Sequence, residues 1–152
     1  MEIRPDDLSH RQVRDLLTAH LAGMRQNSPP DSVHALDLSG LQTPDVSVWT
    51  AWDGDQLMGI GALKQLSAEA GEIKSMRTDP RHLRKGVGLA ILNHIIAEAV
   101  ERGYRRLSLE TGSGAGFEAA LHLYRKRGFE KGEPFGGYRP SAFNQFLHLE
   151  LQ

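Results

Sequence analysis

A short run of the sequence combines residue types that bind an anion. Two cations, Arg84 and Lys85, stand directly before glycines that open a long patterned segment. Backbone N–H groups at the start of a helix carry partial positive charge, and glycines without a Cβ let those groups approach an oxyanion closely. The run therefore predicts a phosphate or pyrophosphate site, although taken alone it also fits a glycine-rich turn with solvated cations. Its residues are Arg84, Lys85, Gly86, Val87, Gly88 and Leu89.

The segment after this run must be a helix for the site to form. Apolar residues recur there at the helical period, and Gly103 stands where such a helix would end. Strands are predicted on both sides, at residues 72–77 and 104–110, so that strand, helix and strand form a right-handed crossover between parallel strands. The apolar face of the helix consists of Gly88, Ile91, Leu92, Ile95, Ile96 and Ala99.

The remaining segments also carry the periodicity of regular elements. A capping box at Ser9 and Gln12 predicts the start of the first helix, and residues 53–55 predict the turn of a hairpin. Gly59 and Gly61 are too few for a dinucleotide fingerprint and are better explained by close packing over the strands. The other predicted helices are 9–26, 32–41 and 115–127, and the other predicted strands are 1–4, 46–52, 56–66, a segment from 129, and 145–151.

Composition excludes several classes of protein. The 152 residues predict one domain, 1–152, and the formal charge of −1 gives no field that would attract nucleic acid or a membrane surface. The absence of cysteine excludes a disulfide framework, a thiolate zinc site and a cysteine nucleophile. No apolar run reaches membrane-spanning length and no signal peptide is recognised, so we expect a cytoplasmic protein. A homodimer is left open.

A second block, downstream of the glycine run, has the order Ala-x-x-Leu-Tyr-x-x-x-Gly-Phe. Together with a strand that ends in Asp-Pro and the glycine run itself, it resembles the signatures of the GCN5-related N-acetyltransferase (GNAT) superfamily. Residues 107–112 and 134–138 further resemble a group of small bacterial N-acetyltransferases of poorly defined substrate. The resemblance covers about residues 46–150. The positions outside the glycine run that carry it are Asp79, Pro80, Ala120, Leu123, Tyr124, Gly128 and Phe129.

The resemblance implies both a fold and a donor. The fold would be α/β with three layers, α/β/α, around a mixed, mostly antiparallel sheet of about seven strands, with about four helices in all. The donor would be acetyl-CoA, with its pyrophosphate at residues 84–89, and no metal would take part. The strand at 72–77 would contain a bulge that aims the acetyl carbonyl. The residues expected along the cofactor in that strand are Met76, Arg77 and Thr78.

Two positions differ from the superfamily pattern. Leu83 stands three residues before the first glycine, where relatives usually have Arg or Gln. Phe117 stands where many relatives have an Asn that contacts the pantetheine arm of the cofactor. The phosphate contacts and the pantetheine contact must therefore differ in detail from those of such relatives.

Acetyl transfer from a thioester to an amine needs a base, an oxyanion donor and an acid for the departing thiolate. Tyr124 is the candidate acid because a phenol is protonated at neutral pH, although an amphipathic helix can also bury a tyrosine as core. Glu72 and Glu110 are the candidate bases, acting directly or through water. Each of these carboxylates taken alone also fits a solvated strand end.

The acceptor, a small amine or a peptide, is expected between irregular segments at about 24–45 and 134–144, since the cofactor occupies the central strands. His34 in the first segment is more often solvated than a ligand or base. His82 is expected near the phosphates and His122 on the surface. In the second segment, aromatic residues would form a wall and an arginine would pair with an acceptor carboxylate. These residues are Phe135, Tyr138, Arg139 and Phe143.

Three functions fit these observations. The first is an N-acetyltransferase that uses acetyl-CoA on a primary amine by direct attack in a ternary complex. The second is a non-catalytic acyl-CoA binding or sensing domain, which would keep the glycine run but would not depend on Tyr124. The third is a nucleotide-phosphate-binding α/β protein, which is disfavoured because no Gly-x-x-x-x-Gly-Lys-Ser/Thr loop occurs.

Overall fold

The computed structural model describes residues 1–30 and 37–151. Within that part the chain forms four α-helices and seven strands. The predicted helix at 32–41 is described only from residue 37 onward, and His34 lies outside the described residues. None of the described helices is long and apolar enough to cross a membrane. The elements are β1 (Glu2–Pro5), α1 (Arg11–Asn27), α2 (Leu38–Leu41), β2 (Val46–Asp53), β3 (Gln56–Gln65), β4 (Ala70–Thr78), α3 (Val87–Glu101), β5 (Arg106–Thr111), α4 (Glu118–Lys126), β6 (Glu130–Lys131) and β7 (Gln145–Glu150).

The strands form one sheet with the order β1-β2-β3-β4-β5-β7-β6. Only β4 and β5, which α3 connects, are parallel, and all other neighbours are antiparallel. The mixed, mostly antiparallel sheet of seven strands and the parallel pair around the helix are therefore confirmed. The predicted hairpin is confirmed as well, because Asp53 pairs with Gln56 across a tight turn with Gly54 at a φ of 59°.

Helices cover both faces of the sheet and bury two apolar clusters. On one face α3 lies directly on β3, where a Cβ at Gly59 would stand 2.8 Å from Val87 Cγ1 and one at Gly61 would stand 2.6 Å from Ile91 Cγ2. The two glycines are therefore required by close packing, as predicted. The element packed closely on them is the helix α3 and not another strand. On the other face α1 packs its apolar side against Ile60 and its neighbours.

Several element boundaries differ from the sequence predictions. The capping box was wrong, because Ser9 Oγ donates to Asp7 Oδ1 at 2.6 Å and His10 caps α1 by accepting from the Gln12 N–H. The predicted helix at 115–127 divides into a 3-10 turn, Ala115–Phe117, and the shorter α4. The Asp7 side chain explains the first difference, because it accepts hydrogen bonds from the Ser9 N–H and hydroxyl and so holds Ser9 in a local turn before the helix.

The sheet opens between β4 and β5. The two strands pair only over residues 70–72 and 106–108 and then separate. Beyond that point β4 contains a bulge, because Ser75 and Met76 together face Gly61 of β3, and Ser75 adopts a φ of 57°. The bulge that the resemblance implied for this strand is confirmed. The separation leaves one backbone edge of the second half of β4 without a partner among the described strands.

Candidate functional site

A cavity of about 450 Å³ occupies the region where β4 and β5 separate. The outer half of β4 and the end of β5 form its sheet side. The other walls come from α1, from the turn Ala115–Phe117 and from α4. The loop before α3, the start of α3 and Ile60 of β3 also line the cavity, and the early end of the parallel pair of β4 and β5 is what makes room for it.

The start of α3 has the backbone geometry expected of an anion site. Gly86 is the N-cap residue with a φ of 78°, and no side chain caps the helix there. Arg84 is also left-handed, with a φ of 64°. The first N–H groups of α3 therefore lack a side-chain acceptor, and such groups favour a bound oxyanion.

The other members of the run contribute unequally. Val87 packs its side chain into the core against Gly59 and offers only its backbone to a ligand. Gly88 lines the cavity, whereas Leu89 is 44% exposed and points outward. Lys85 is exposed, and its Nζ lies 3.2 Å from Nδ1 of His82, which is buried under the loop. His82 thus has Lys85 as its neighbour, and its proximity to the phosphates stays a prediction.

The three residues predicted along the cofactor, Met76, Arg77 and Thr78, all line the cavity. Their side chains diverge. Met76 Sδ and Thr78 Oγ1 lie on the α3 side, close to Gly61 and Gly88 respectively. The Arg77 guanidinium lies on the α1 side.

Tyr124 is buried on α4 and lines the cavity. Its ring packs edge-on against Phe129, with ring centres 5.8 Å apart. Burial raises the pKa of the phenol above its ordinary value, so the hydroxyl is protonated at neutral pH. Among the described residues no hydrogen-bond partner of this hydroxyl is found. A protonated phenol without an internal acceptor is able to donate to a group in the cavity.

Glu72 belongs to a buried network with Lys74 and Tyr138. Lys74 Nζ lies 3.0 Å from Glu72 Oε2 and donates to the Tyr138 hydroxyl oxygen at 2.6 Å. The Tyr138 hydroxyl in turn donates to Glu72 Oε2. Burial, followed by the Glu72 charge, raises the pKa of Tyr138. Glu72 is only 3% exposed, so it is not the solvated strand-end carboxylate that was the alternative.

Glu110 lies at the end of β5 and also lines the cavity. Burial raises the pKa of its carboxyl to about 7. A hydrogen bond from Asn144 and the charge of Lys74 oppose this shift, and the Glu72 charge adds to it. Glu110 therefore exchanges a proton near neutral pH, as a general base must.

Of the two segments expected to hold the acceptor, only the first contributes predicted residues to the cavity wall. Met24 and Asn27 of α1 line the cavity, whereas none of the four residues predicted in the aromatic turn does. Tyr138 reaches the cavity indirectly, through Glu72 and Lys74. The other three lie apart from it: Phe135 packs on Tyr138, Phe146 and His148, Phe143 packs on Phe117, and Arg139 is exposed.

Phe117 fills the position where many relatives have an Asn. Its ring lines the cavity and also blocks the space above Gly112, where a Cβ would stand 2.7 Å from the ring. An apolar ring therefore replaces a polar contact on that wall. His122 is exposed, as expected. In the described part of the chain no group of three His, Asp or Glu residues is arranged to hold a metal ion.

Sequence reasoning missed Lys74. A signal was present, because residues two apart in a strand project from the same face, so Glu72 and Lys74 had to be neighbours. Tyr138, by contrast, was expected to contact the acceptor and not Glu72. That contact joins residues 66 apart in the chain.

Comparisons with known proteins agree with this geometry. Residues 11–129 match the Acetyltransferase (GNAT) family. The chain therefore belongs to the GNAT family of acetyltransferases.

Within that family the chain is similar to uncharacterized N-acetyltransferases. It is 52% identical to YsnE of Bacillus subtilis (strain 168), over 99% of this chain and 100% of the relative. It is also 52% identical to YedL of Escherichia coli (strain K12), over 98% of this chain and 94% of the relative. These relatives support membership of the group of small bacterial N-acetyltransferases of undefined substrate.

Solved structures share the fold. A Klebsiella pneumoniae protein named for acyl-CoA N-acyltransferase activity is 26% identical over 99% of this chain and 97% of its own, with a TM-score of 0.83. A GNAT acetyltransferase from Elizabethkingia anophelis, crystallised with acetyl-CoA bound, is 20% identical with a TM-score of 0.71 and covers the same shares. The expected three-layer fold is thereby confirmed.

Proposed function

We propose that this protein is an N-acetyltransferase that transfers the acetyl group of acetyl-CoA to a primary amine by direct attack in a ternary complex. The observation that carries the proposal is one cavity that contains a protonated phenol, Tyr124, and a carboxyl with a pKa of about 7, Glu110. Family membership and a related fold crystallised with acetyl-CoA support the choice of donor.

The residues present fit such a donor. The uncapped start of α3 and the left-handed Gly86 provide N–H groups for its pyrophosphate. Arg84 and Lys85 add positive charge beside that site. The edge of β4 that β5 leaves unpaired offers N–H and C=O groups to the amides of the pantetheine arm.

Glu110 is assigned as the base. The attacking amine must lose a proton, and a carboxyl with a pKa near 7 is a stronger base than an ordinary glutamate while still being about half ionised at neutral pH. Glu72 remains the alternative base. Its carboxylate already accepts bonds from Lys74 and Tyr138, so we assign it to holding that network beside Glu110.

Tyr124 is assigned as the acid. As the N–C bond forms and the C–S bond breaks, the sulfur leaves as a thiolate, and the Tyr124 hydroxyl gives it a proton. The burial that raises the pKa of the phenol also raises the pKa of a thiol in the same cavity, so the transfer stays feasible. The bulge at Ser75 breaks the strand ladder beside the cavity, where free backbone groups can contact the acetyl oxygen.

The direct test is release of free thiol from acetyl-CoA with a panel of amines and short peptides. We expect thiol release that depends on the amine, together with the acetylated amine in the mass spectrum. Tight binding of acetyl-CoA with no turnover on any acceptor would instead support a non-catalytic acyl-CoA binding domain. In that case Tyr124→Phe should leave the acetyl-CoA affinity unchanged.

A further inference from the structure

Arg77 is a partly buried cation in the wall of the cavity. Its Nε is buried and has no hydrogen-bond partner, and no Asp or Glu of the described residues forms an ion pair with it. Leaving a buried donor unpaired is unfavourable, and more so when the group is charged. A residue in this state, in the wall of a binding cavity, is expected to find its partner in a ligand.

The Arg77 side chain projects away from the glycine run. Arg77 pairs with Ile60 of β3, and Ile60 belongs to the apolar cluster on the α1 face. The guanidinium reaches α1 itself, since a Cβ at Gly23 would stand 3.2 Å from Arg77 Nη1. The start of α3 packs on the opposite face of the sheet, against Gly59. Arg77 is therefore directed to the acceptor side of the cavity and not to the donor phosphates.

His20 of α1 lies beside this guanidinium and, like Arg77, has a buried nitrogen without a hydrogen-bond partner among the described residues. Burial, and then the Arg77 charge, lowers the pKa of His20 to about 4, so the imidazole is neutral at neutral pH. Its Nδ1 is buried and has no hydrogen-bond partner among the described residues. The Arg77 guanidinium of β4 and Nδ1 of His20 thus place a cation and a neutral polar atom on the α1 side of the cavity, and together they match an anionic group that accepts hydrogen bonds.

We propose that Arg77 binds a carboxylate of the acceptor, and that the acceptors of this enzyme are amino acids or similar amino carboxylates. The inference rests on the proposed function. The Arg77 cation, which points to the α1 side, and the Glu110 carboxyl at the end of β5 line one cavity and complement the two charges of a zwitterion. The exposed Arg139, which the sequence suggested for this role, does not line that cavity.

The first test uses matched acceptors, each an α-, β- or γ-amino acid paired with its primary amide. A charged hydrogen bond contributes about 1.5–3 kcal/mol, which corresponds to about 10- to 100-fold in kcat/KM. We expect the wild-type protein to prefer the free acid by that factor. We expect Arg77→Met to lose the preference by slowing the acid and not the amide, and Arg77→Lys to recover part of it. Equal use of acid and amide by the wild-type protein would overturn the inference while leaving acetyl transfer intact.

A second test measures binding, so that the result does not depend on turnover. Calorimetry would titrate the same amino acids and amides into the CoA-loaded protein. We expect the free acids to bind and Arg77→Met to abolish that binding, while Arg105→Met, a control at an 81% exposed arginine, leaves it unchanged. Acetyl-CoA affinity should be the same in both variants. Loss of acetyl-CoA affinity in Arg77→Met with unchanged binding of the acids would assign Arg77 to the donor and overturn the inference.

Discussion

At the scale of single residues, the Tyr124 hydroxyl separates chemistry from packing. It lines the cavity and has no hydrogen-bond partner among the described residues, so Tyr124→Phe removes a proton without breaking an internal bond. General acid catalysis contributes about 10² to 10⁴ in rate, and we predict a loss of kcat of that order. Acetyl-CoA affinity and Tm should hardly change. Full turnover combined with a lower Tm would identify a core tyrosine and end the assignment as acid.

Glu110 predicts the shape of the pH profile. A base with a pKa of about 7 must be ionised to act, so kcat/KM should rise with pH through about 7 and then level off. Glu110→Gln should remove this limb and most of the activity. The profile should be recorded with two acceptors whose amine pKa values differ. If the rise of kcat/KM shifts with the pKa of the acceptor amine, it reflects deprotonation of the acceptor and not of Glu110.

The same residue predicts a change in stability with pH. Because burial raises the pKa of the folded carboxyl from 4.5 to about 7, the folded state holds this proton more tightly than the unfolded state. Ionisation therefore destabilises the fold progressively between those two pH values and by a constant amount above the upper one. Glu110→Gln never ionises. Its Tm should equal that of the wild type at low pH and exceed it above about pH 7, and the opposite order would contradict the raised pKa.

At the scale of elements, the glycine loop and α3 can be tested with a matched pair of variants. Gly86 and Gly103 flank the two ends of α3 with φ values of 78° and 81°, and a Cβ at either would meet nothing within 4 Å. Valine in the left-handed region costs about 1–3 kcal/mol, so both substitutions should lower the Tm by similar amounts. Only Gly86→Val should weaken acetyl-CoA binding. Unchanged affinity in a folded Gly86→Val protein would remove the pyrophosphate from this loop.

At the scale of the whole molecule, the cavity depends on two opposite features of one sheet. The sheet opens because β4 and β5 pair over only three residues each, and its other strands stay paired while α3 lies directly on β3. The glycines of β3 set the depth at which α3 packs. The position of the glycine run at the start of α3 is thus linked to the core beneath it.

This link predicts coupling between Gly61 and Ile91. A Cβ at Gly61 would stand 2.6 Å from Ile91 Cγ2, and overpacking of this kind costs about 1–3 kcal/mol. Ile91→Ala alone should cost about 2–5 kcal/mol by leaving a cavity. The double mutant Gly61→Ala/Ile91→Ala should lose less free energy of unfolding than the sum of the two single-mutant losses. Denaturant unfolding in a double-mutant cycle measures this difference. Strict additivity would show that α3 does not rest on Gly61.

Local patterns in the sequence determined most of the elements. The helical period of α3 and the hairpin turn at 53–55 depend on residues close together in the chain, and both were predicted correctly. The phosphate site at the glycine run before α3 stays a prediction. The start of α1 was wrong because Asp7 accepts hydrogen bonds from the Ser9 N–H and hydroxyl, and His10 caps the helix instead. Tertiary structure alone decided the chemistry of the cavity. The raised pKa of Glu110 and the reach of Arg77 across to Gly23 arise from burial and from contacts between distant segments, which no spacing in the sequence encodes.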